Sequence, residues 1–158
     1  MQKTLISIIG STGIGKTKLA IEIAKHFGTE IISCDSRQFF KEMKIGTATP
    51  TDEELAQAKH HFIGHLSVQD YYSIGQYEED ALEKIEEIFE ENDFAVLVGG
   101  SMMYEKAVVE GMNDLPEANA ENQEKLQKIL DEESLEKLQE ILKNLDEEYY
   151  NVVHKENP

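Results

Sequence analysis

The sequence has very little cysteine and lacks any long apolar run, and each shortage excludes a class of protein. Cys34 is the single cysteine, so no disulfide can form within the chain, which favours a reducing compartment. No apolar run approaches the roughly 20 residues that a helix needs to span a bilayer. Met1 to Thr4 lead straight into a strand-like run without a small-residue cleavage site, so no signal peptide is expected. We therefore expect a cytoplasmic protein without a membrane partner.

Basic residues are also scarce. The 158 residues include 15 Lys and Arg against 32 Asp and Glu, a formal net charge of −17. A field of this sign repels nucleic acid at long range, so composition alone disfavours a nucleic-acid partner. The excess is uneven, because residues 113–158 hold 5 basic against 13 acidic residues. The preceding part of the chain is less acidic per residue, which weakens the objection there.

Short apolar strands alternate with amphipathic helices over residues 1–112. Runs of β-branched and other apolar residues predict strands at 5–9, 30–34 and 94–98. Helical spacing predicts helices at 16–27, from Ser73 to about residue 91, and around 103–110. Gly28 and Gly111 are expected to end helices, Ser73 to begin one, and Thr51 with Glu54 to form a capping box. This order predicts βαβ units, that is, an α/β core with a parallel sheet flanked by helices.

The pattern changes beyond residue 112. Leucines and isoleucines recur at helical spacing between charged residues, which predicts two or three short amphipathic helices over 113–158. We interpret this part as a small helical insert or subdomain toward the C-terminus. Only three strands can be recognised in the core, whereas parallel sheets usually contain more. We therefore expect the chain to be truncated after residue 158.

A complete phosphate-binding motif follows the first predicted strand. Residues 10–17 match the P-loop pattern G-x-x-x-x-G-K-[ST] and precede a predicted helix, which is the context that the motif requires. The glycines let the backbone wrap a phosphate, and the helix offers N–H groups and a positive dipole end. Lys16 supplies a charge for the terminal phosphate, and Thr17 supplies a hydroxyl for Mg²⁺. The predicted binding residues are Gly10, Ser11, Thr12, Gly13, Ile14, Gly15, Lys16 and Thr17.

Asp35 is the nearest strand-terminal acid to this loop. P-loop ATPases hold Mg²⁺ with a strand that ends in Asp, but the strand at 94–98 is followed by Gly99, Gly100 and Ser101 instead. The carboxyl ends of parallel strands meet at one sheet edge, so Asp35 is expected on the ligand side. It is either a general base or metal-associated carboxylate, or the solvated cap of a helix beginning near Ser36. The hydrogen-bonding side chains at 35–38 favour the functional interpretation.

Other conspicuous residues are assigned to structure. His60 and His61 are adjacent, and neighbouring residues on a helix point apart, so no shared metal site is expected. The residues expected to pack in the core or at a helix start are Cys34, Met102, Met103, Tyr71 and Tyr72.

Taken together, these segments resemble the tRNA dimethylallyltransferase family, also called tRNA isopentenyltransferases. The likeness begins with the P-loop and continues, in the same order and spacing, through further short segments. They are residues 31–38, 44–51, 60–62, 72–73, 97–104 and 110–116. Members of this family run well beyond the length of this chain. The resemblance therefore implies that the chain corresponds to the N-terminal part of the enzyme.

The resemblance implies a transferase that moves the dimethylallyl group of dimethylallyl diphosphate to N6 of the adenosine adjacent to the anticodon in tRNA. The loop from Thr12 to Thr17 then holds the diphosphate, with Lys16 as a catalytic residue and Mg²⁺ as the cofactor. Asp35 accepts the N6 proton from a base that has been extruded from its stack. The residues implied to contact tRNA are Asp35, Ser36, Arg37, Gln38, Ser101 and Gln123.

Two other functions stay open. A P-loop small-molecule kinase would bind ATP, with Asp35 as the base for a phosphoryl acceptor. Residues 113–158, where an arginine-bearing lid would lie, contain no arginine, which counts against a kinase. A fragment that binds diphosphate without catalysis is the second alternative. Separate titrations with dimethylallyl diphosphate and ATP distinguish these functions.

Overall fold

The computed structural model describes residues 2–112 and 119–155. Four strands and seven α-helices lie in these two ranges. In chain order they are β1 (Thr4–Ile9), α1 (Lys16–Phe27), β2 (Ile31–Ser33), α2 (Asp52–Leu55), β3 (His60–His61), α3 (Ile74–Glu91), β4 (Phe94–Gly99), α4 (Met102–Glu110), α5 (Ala120–Glu132), α6 (Leu135–Leu145) and α7 (Glu147–Val152). A short 3₁₀ helix, Lys41–Met43, lies between β2 and α2. The chain divides into two compact units, Met1–Asn113 and Asp114–Pro158.

The four strands form one parallel sheet in the order β1-β4-β2-β3. β4 pairs with β1 from Thr4↔Phe94 to Ile9↔Gly99, and its other edge pairs with β2. This sheet and its flanking helices confirm the predicted α/β fold. β3 is a fourth strand that the sequence pattern does not predict, because its two residues are both histidines. It forms by pairing with β2 at Ile31↔His60 and Ile32↔His61.

The alternation of side chains along the central strands divides the core of the first unit in two. Ala95 and Leu97 of β4 pack with α3 and α4, whereas Val96 and Val98 pack with α1. Successive residues of a strand point to opposite faces, so each helical layer receives every second side chain. The buried helical residues are Tyr77, Ala81, Ile85, Ile88 and Val108 on one face, and Ala20, Ile21 and Ala24 on the other. Both faces of the parallel sheet are therefore covered.

The helix ends agree with the predicted caps. The hydroxyls of Thr51 and Ser73 each accept a hydrogen bond of 3.2 Å from the backbone N–H three residues on. The side chains of Glu54 and Gln76 accept the returning bonds from the cap backbone, which completes two capping boxes. Gly28, with φ 65°, ends α1 in the left-handed conformation. The predicted starts of α2 and α3 and the end of α1 are confirmed.

Two predicted core residues are wrong. Met102 and Met103 are 71% and 72% exposed. They form the first turn of α4, beside the end of β4, while the buried part of that helix lies a turn further on at Ala107 and Val108. Helical spacing alone does not tell how far a helix extends beyond the layer it packs on.

The remaining structural assignments divide between confirmation and correction. Cys34 is fully buried, as predicted. Tyr72 packs edge-on against the ring of Phe39, at a centroid distance of 5.7 Å. Tyr71, which was expected to pack at a helix start, is 77% exposed and is a correction.

The described part of the second unit consists of α5, α6 and α7. The helices predicted over 113–158 correspond to these three, although residues 113–118 and 156–158 lie outside the described ranges. Their leucines line a groove of about 760 Å³, and none of residues 121–155 is buried. Among the described helices of the whole chain, none combines the length and apolar character needed to cross a membrane.

Candidate functional site

The loop between β1 and α1 has the backbone geometry of a phosphate-binding loop. Gly13 and Gly15 have φ values of 86° and 92°, in the left-handed region that favours glycine. α1 begins at Lys16, and no side chain caps its N-terminus. The backbone N–H groups of the first turn of α1 are therefore free of a side-chain cap. Together with the positive end of the helix dipole, they suit an anion. Lys16 Nζ donates to the carbonyl oxygen of Ser11 at 2.8 Å, so the ammonium lies across the loop.

A cavity of about 360 Å³ joins this loop to the ends of the neighbouring strands. The loop and the first turn of α1 contribute Thr12, Lys16 and Thr17 to its lining. Asp35, which follows β2, and Gly99, which ends β4, line the same cavity. The carboxyl edge of a parallel sheet is where α/β folds bind ligands. The structure thus brings the phosphate loop and the predicted base into one site.

Asp35 is buried, with 5% of its surface exposed. Its Oδ1 accepts a hydrogen bond from the backbone N–H of Arg37 at 3.3 Å. Residues 36–39 form turns rather than a helix, so the interpretation of Asp35 as a solvated helix cap is wrong. A buried carboxylate with a backbone donor on one oxygen keeps further lone pairs for a proton or a metal ion.

The backbone around Asp35 depends on a close approach between β2 and β4. Cys34 N donates to the carbonyl oxygen of Val98 at 2.8 Å. A Cβ on Gly99 would lie 2.6 Å from the carbonyl carbon and from Sγ of Cys34, so only glycine fits without a shift of the backbone. A Cβ on Gly100 would lie 3.2 Å from Asp35 Oδ2. The predicted proximity of the Gly-Gly turn to Asp35 is therefore a tight contact.

Ser36 and Ser101 form a second link at this edge. The Ser36 backbone N–H donates to Ser101 Oγ at 3.2 Å, and the two hydroxyl oxygens are also 3.2 Å apart. Ser101 is the N-cap residue of α4, immediately before Met102. The pair ties the turn after β2 to the start of α4 and places two hydroxyl groups beside Asp35.

Arg37 and Gln38 have different environments. The side chain of Arg37, the single arginine of the sequence, is exposed. Gln38 Nε2 donates to the carbonyl oxygens of Thr47 and Ala48, both at 3.1 Å. Its Oε1 accepts a hydrogen bond of 3.3 Å from Ser33 Oγ. Gln38 therefore holds the loop at 47–48 against the end of β2 and lines the cavity as part of this scaffold.

The adjacent histidines lie on β3 rather than on a helix, and a strand points neighbouring residues to opposite faces. His61 Nε2 contacts Glu30 Oε2 at 2.6 Å. His60 lines the cavity, and its Nδ1 contacts the carbonyl oxygen of Ala58 at 2.8 Å. Burial lowers the pKa of His60, and its Nε2 is, within the described residues, the one buried side-chain nitrogen or oxygen without a partner. The sequence reasoning missed this cavity residue, because a two-residue strand carries no recognisable pattern.

Cys34 lies next to the site without being a nucleophile. Burial, together with the carboxylates of Glu105 and Asp35, raises the pKa of its thiol to about 12. Such a thiol stays protonated at neutral pH, and the thiolate is the reactive form. We therefore do not expect Cys34 to act as a nucleophile at this edge of the sheet.

Few side chains are available for a metal ion. No group of three or more His, Cys, Asp and Glu residues converges in residues 2–112 or 119–155. Thr17 and Asp35 line the same cavity, and a hydroxyl and a carboxylate are oxygen donors of the kind that Mg²⁺ prefers. Mg²⁺ usually keeps several waters and binds through one or two carboxylates plus phosphate oxygens. The residues present fit an ion that arrives with a phosphate ligand.

Gln123, the remaining predicted tRNA contact, lies on α5 of the second unit. Its side chain is exposed at the lining of the apolar groove there.

Comparison with protein families adds an independent observation. The model of the family described as IPP transferase matches residues 38–158, a range that begins after the P-loop. The tRNA dimethylallyltransferase of Flavobacterium johnsoniae is 53% identical over 99% of this chain. That of Christiangramia forsetii is 52% identical over 100% of it. The chain spans about half the length of these curated relatives, 50% and 52%.

Solved structures share the fold. The tRNA isopentenylpyrophosphate transferase of Bacillus halodurans superimposes with a TM-score of 0.69 at 30% identity, covering 99% of this chain and 52% of its own. The corresponding protein of Staphylococcus epidermidis gives 0.66 at 32% identity, covering 99% and 51%. A eukaryotic dimethylallyltransferase acting on tRNA gives 0.81 at 24% identity, covering 99% and 39%, a likeness of fold alone. These neighbours confirm the P-loop-like α/β architecture.

Proposed function

The chain belongs to the IPP transferase family, and on this premise we propose that it is the diphosphate-binding part of a tRNA dimethylallyltransferase. The proposed reaction transfers the dimethylallyl group from dimethylallyl diphosphate to N6 of the adenosine adjacent to the anticodon in tRNA. The observation that carries this proposal is the single cavity lined by both the P-loop and the buried Asp35. Relatives named tRNA dimethylallyltransferase support it at 53% and 52% identity.

The P-loop holds the diphosphate end of the prenyl donor in this proposal. Backbone N–H groups of Gly13, Gly15, Lys16 and Thr17 are the donors, and Lys16 Nζ adds a charge-assisted hydrogen bond. Negative charge grows on the diphosphate as its bond to carbon breaks, so preorganised donors stabilise the transition state. Charge neutralisation of the leaving group is the chemistry that Mg²⁺ supplies when Thr17 and the phosphate oxygens hold it.

Asp35 acts as the general base. N6 of the adenosine forms a bond to the allylic carbon while the bond from that carbon to the diphosphate oxygen breaks. The surplus proton on N6 then passes to the carboxylate of Asp35. The carboxylate of Asp35 is itself largely shielded from bulk water, with 5% of the residue exposed.

Four of the proposed tRNA contacts, Ser36, Arg37, Gln38 and Ser101, belong to the first unit, like this base. Ser36 and Ser101 present hydroxyl groups beside Asp35, and the exposed Arg37 can reach a phosphate oxygen. Gln38 supports tRNA binding by holding the loop at 47–48 against the end of β2. Gln123, on α5, is a separate proposed tRNA contact in the second unit. The adenosine must leave its stack to enter a cavity of about 360 Å³. The proposed tRNA substrate supports a cytoplasmic location, and the single cysteine, which has no partner for a disulfide within the chain, is consistent with it.

Calorimetric titration with dimethylallyl diphosphate and, separately, with ATP tests the proposal. We expect saturable binding of the prenyl diphosphate in the presence of Mg²⁺. Because P-loops also accept nucleotides, ATP is the informative alternative ligand. Binding of ATP without binding of dimethylallyl diphosphate would contradict the proposal and favour a P-loop kinase.

The role of Asp35 is tested by Asp35→Asn, which keeps the shape of the side chain and removes the base. We expect diphosphate binding to persist and prenyl transfer to fall by about 10²–10⁴-fold, the usual contribution of a general base. Transfer is measured in a chain lengthened to the size of its relatives. Glu105→Gln is the matched control, because it also replaces a carboxylate by an amide. Glu105 lies on α4, does not line the cavity and accepts a hydrogen bond from Ser7 Oγ at 2.9 Å. Equal transfer by the Asp35→Asn protein would remove its assignment as base.

A further inference from the structure

The cavity beside the phosphate loop has a polar part and a smaller apolar part. Its polar lining includes Lys16 and Asp35, and the larger apolar side chains of the lining are Pro50, Ile63 and Val98. Pro50 is buried, Val98 is 8% exposed and Ile63 is half-buried. Binding sites combine an apolar surface with a few placed polar groups when the ligand itself has both kinds of surface. The lining therefore suits a ligand with one charged end and one short apolar end.

The backbone on either side of Ile63 is held in an unusual conformation. Phe62 has a φ of 61°, in the left-handed region that residues other than glycine rarely adopt, and Gly64 has a φ of 56°. The ring of Phe62 packs against Tyr77 at a centroid distance of 5.5 Å, in the core layer of α3 and α4. Such backbone persists only where surrounding contacts hold it, and it is frequent at ligand sites. The fold thus fixes the place of Ile63 in the cavity lining.

Gln38 connects the segments that carry Ile63 and Pro50. Its backbone carbonyl oxygen accepts a hydrogen bond of 2.8 Å from the N–H of Gly64. Its Nε2 donates to two carbonyl oxygens of the loop at 47–48, both at 3.1 Å. A single residue therefore links two walls of the cavity, which gives the apolar part a set size before any ligand binds.

We propose that Pro50, Ile63 and Val98 bind the dimethylallyl group of the prenyl donor, and that Ile63 limits the donor to a single isoprene unit. This inference rests on the proposed function, because it assumes that the phosphate loop holds the diphosphate end. Removal of the apolar group from water favours its binding to this wall. A longer prenyl chain needs room that a close-packed, preorganised wall does not supply. Ile63 has the largest side chain of the three, and it lies outside the core layer beneath α1 to which Val98 belongs.

Calorimetry on the intact chain with three ligands tests the proposal. The ligands are inorganic diphosphate, dimethylallyl diphosphate and geranyl diphosphate, which is longer by one isoprene unit, each in the presence of Mg²⁺. We expect dimethylallyl diphosphate to bind more tightly than inorganic diphosphate by roughly tenfold or more, the discrimination that small apolar groups give in a fitted pocket. Geranyl diphosphate should bind more weakly than dimethylallyl diphosphate.

Two substitutions of Ile63 should change the ligand preference in opposite directions. Ile63→Ala enlarges the cavity, so the preference for dimethylallyl over geranyl diphosphate should shrink by roughly tenfold. Ile63→Phe narrows the cavity, so the affinity for dimethylallyl diphosphate should fall several-fold. Neither variant should change the affinity for inorganic diphosphate. Ile45→Ala and Ile45→Phe, at a residue that is 98% exposed, are the matched controls and should leave all three affinities unchanged.

Inorganic diphosphate separates failure of this inference from failure of the proposed function. If wild type binds inorganic and dimethylallyl diphosphate equally, the apolar wall is not a binding surface, although the phosphate loop keeps its role. An unchanged ligand preference in both Ile63 variants contradicts the role of Ile63. Equal losses of affinity for all three ligands would show a purely structural effect and overturn the proposal as well. If none of the three ligands binds, the proposed function fails and this inference fails with it.

Discussion

Lys16 illustrates how much a single side chain of the loop can contribute. Its ammonium group lies across the loop, 2.8 Å from the Ser11 carbonyl oxygen, and lines the cavity. Lys16→Ala should weaken binding of dimethylallyl diphosphate by about 1–3 kcal/mol, the range for a hydrogen bond to a charged group. Calorimetry at constant ionic strength measures the change.

The control for Lys16 is Lys25→Ala. Lys25 lies at the other end of α1, where its Nζ donates to Gln57 Oε1 at 2.7 Å. It removes the same charge from the same helix at a distance from the loop. Equal losses in the two variants would indicate a general effect of net charge and would contradict a phosphate contact by Lys16.

His60 gives the site a pH dependence of stability. Burial lowers its pKa below the ordinary value of 6.5. At a pH between the lowered pKa of His60 in the folded chain and the ordinary value, His60 binds a proton in the unfolded chain but not in the folded chain. The unfolding free energy therefore falls as the pH drops below about 6.5. His60→Gln should remove this part of the slope in urea unfolding measured from pH 7 to 5. The exposed His26→Gln is the control, and an identical slope in wild type and His60→Gln would contradict the prediction.

The residues that sequence reasoning located are those whose chemistry is written in a local pattern. The P-loop and the strand-terminal Asp35 depend on order along the chain, and the parallel sheet brings them together. His60 depends on a pairing with Ile31 that lies 29 residues away, and the two-residue strand has no signal of its own. The scaffold role of Gln38 depends likewise on where the loop at 47–48 folds back. Such positions follow from tertiary contacts and not from periodicity.

At the scale of elements, the contact between β2 and β4 shapes the site. Gly99→Ala would place a Cβ 2.6 Å from the carbonyl carbon of Cys34, and neither backbone can give way without moving Asp35. We expect the unfolding free energy to fall by about 1–3 kcal/mol, as in other overpacked cores. Urea unfolding with an unchanged m-value measures it.

Gly75→Ala is the matched control for this contact. Gly75 lies in the first turn of α3, and the nearest atom to a new Cβ is Ser73 Oγ at 3.8 Å. Alanine has the higher helix propensity, so this variant should be neutral or up to about 1 kcal/mol more stable. A Gly99→Ala protein as stable as wild type would show that the two strand ends have room that the structure does not indicate.

The helices show why the presence and ends of a helix are easier to predict from sequence than which of its residues are buried. Capping boxes at Thr51 and Ser73 and the glycine at the end of α1 mark helix boundaries through local hydrogen bonds. The exposure of Met102 and Met103 depends on where α4 passes the end of the sheet, which no local signal records. Among the strands, β3 likewise has no local signal, because its two histidines form a strand only by pairing with β2.

For the whole molecule, the net charge affects two binding activities differently: binding of the prenyl diphosphate and binding of tRNA. Binding of a prenyl diphosphate needs the loop, a few donors and a small cavity. Binding of tRNA needs many phosphate contacts, and the affinity rises with the number of Lys and Arg that make them. The chain has a net charge of −17, and Arg37 is its single arginine. It also spans about half the length of its relatives.

We therefore expect this chain to bind dimethylallyl diphosphate but to prenylate tRNA poorly. A chain lengthened to the size of its relatives serves as the comparison, with labelled dimethylallyl diphosphate and unmodified tRNA as substrates. Transfer by the 158-residue chain should be slower by roughly tenfold or more, because repulsion by its acidic surface opposes the phosphate contacts that hold the tRNA. Diphosphate affinity should be similar in the two, since the loop and cavity are the same. Equal transfer rates would contradict this prediction and would mean that Asp35 and the P-loop suffice.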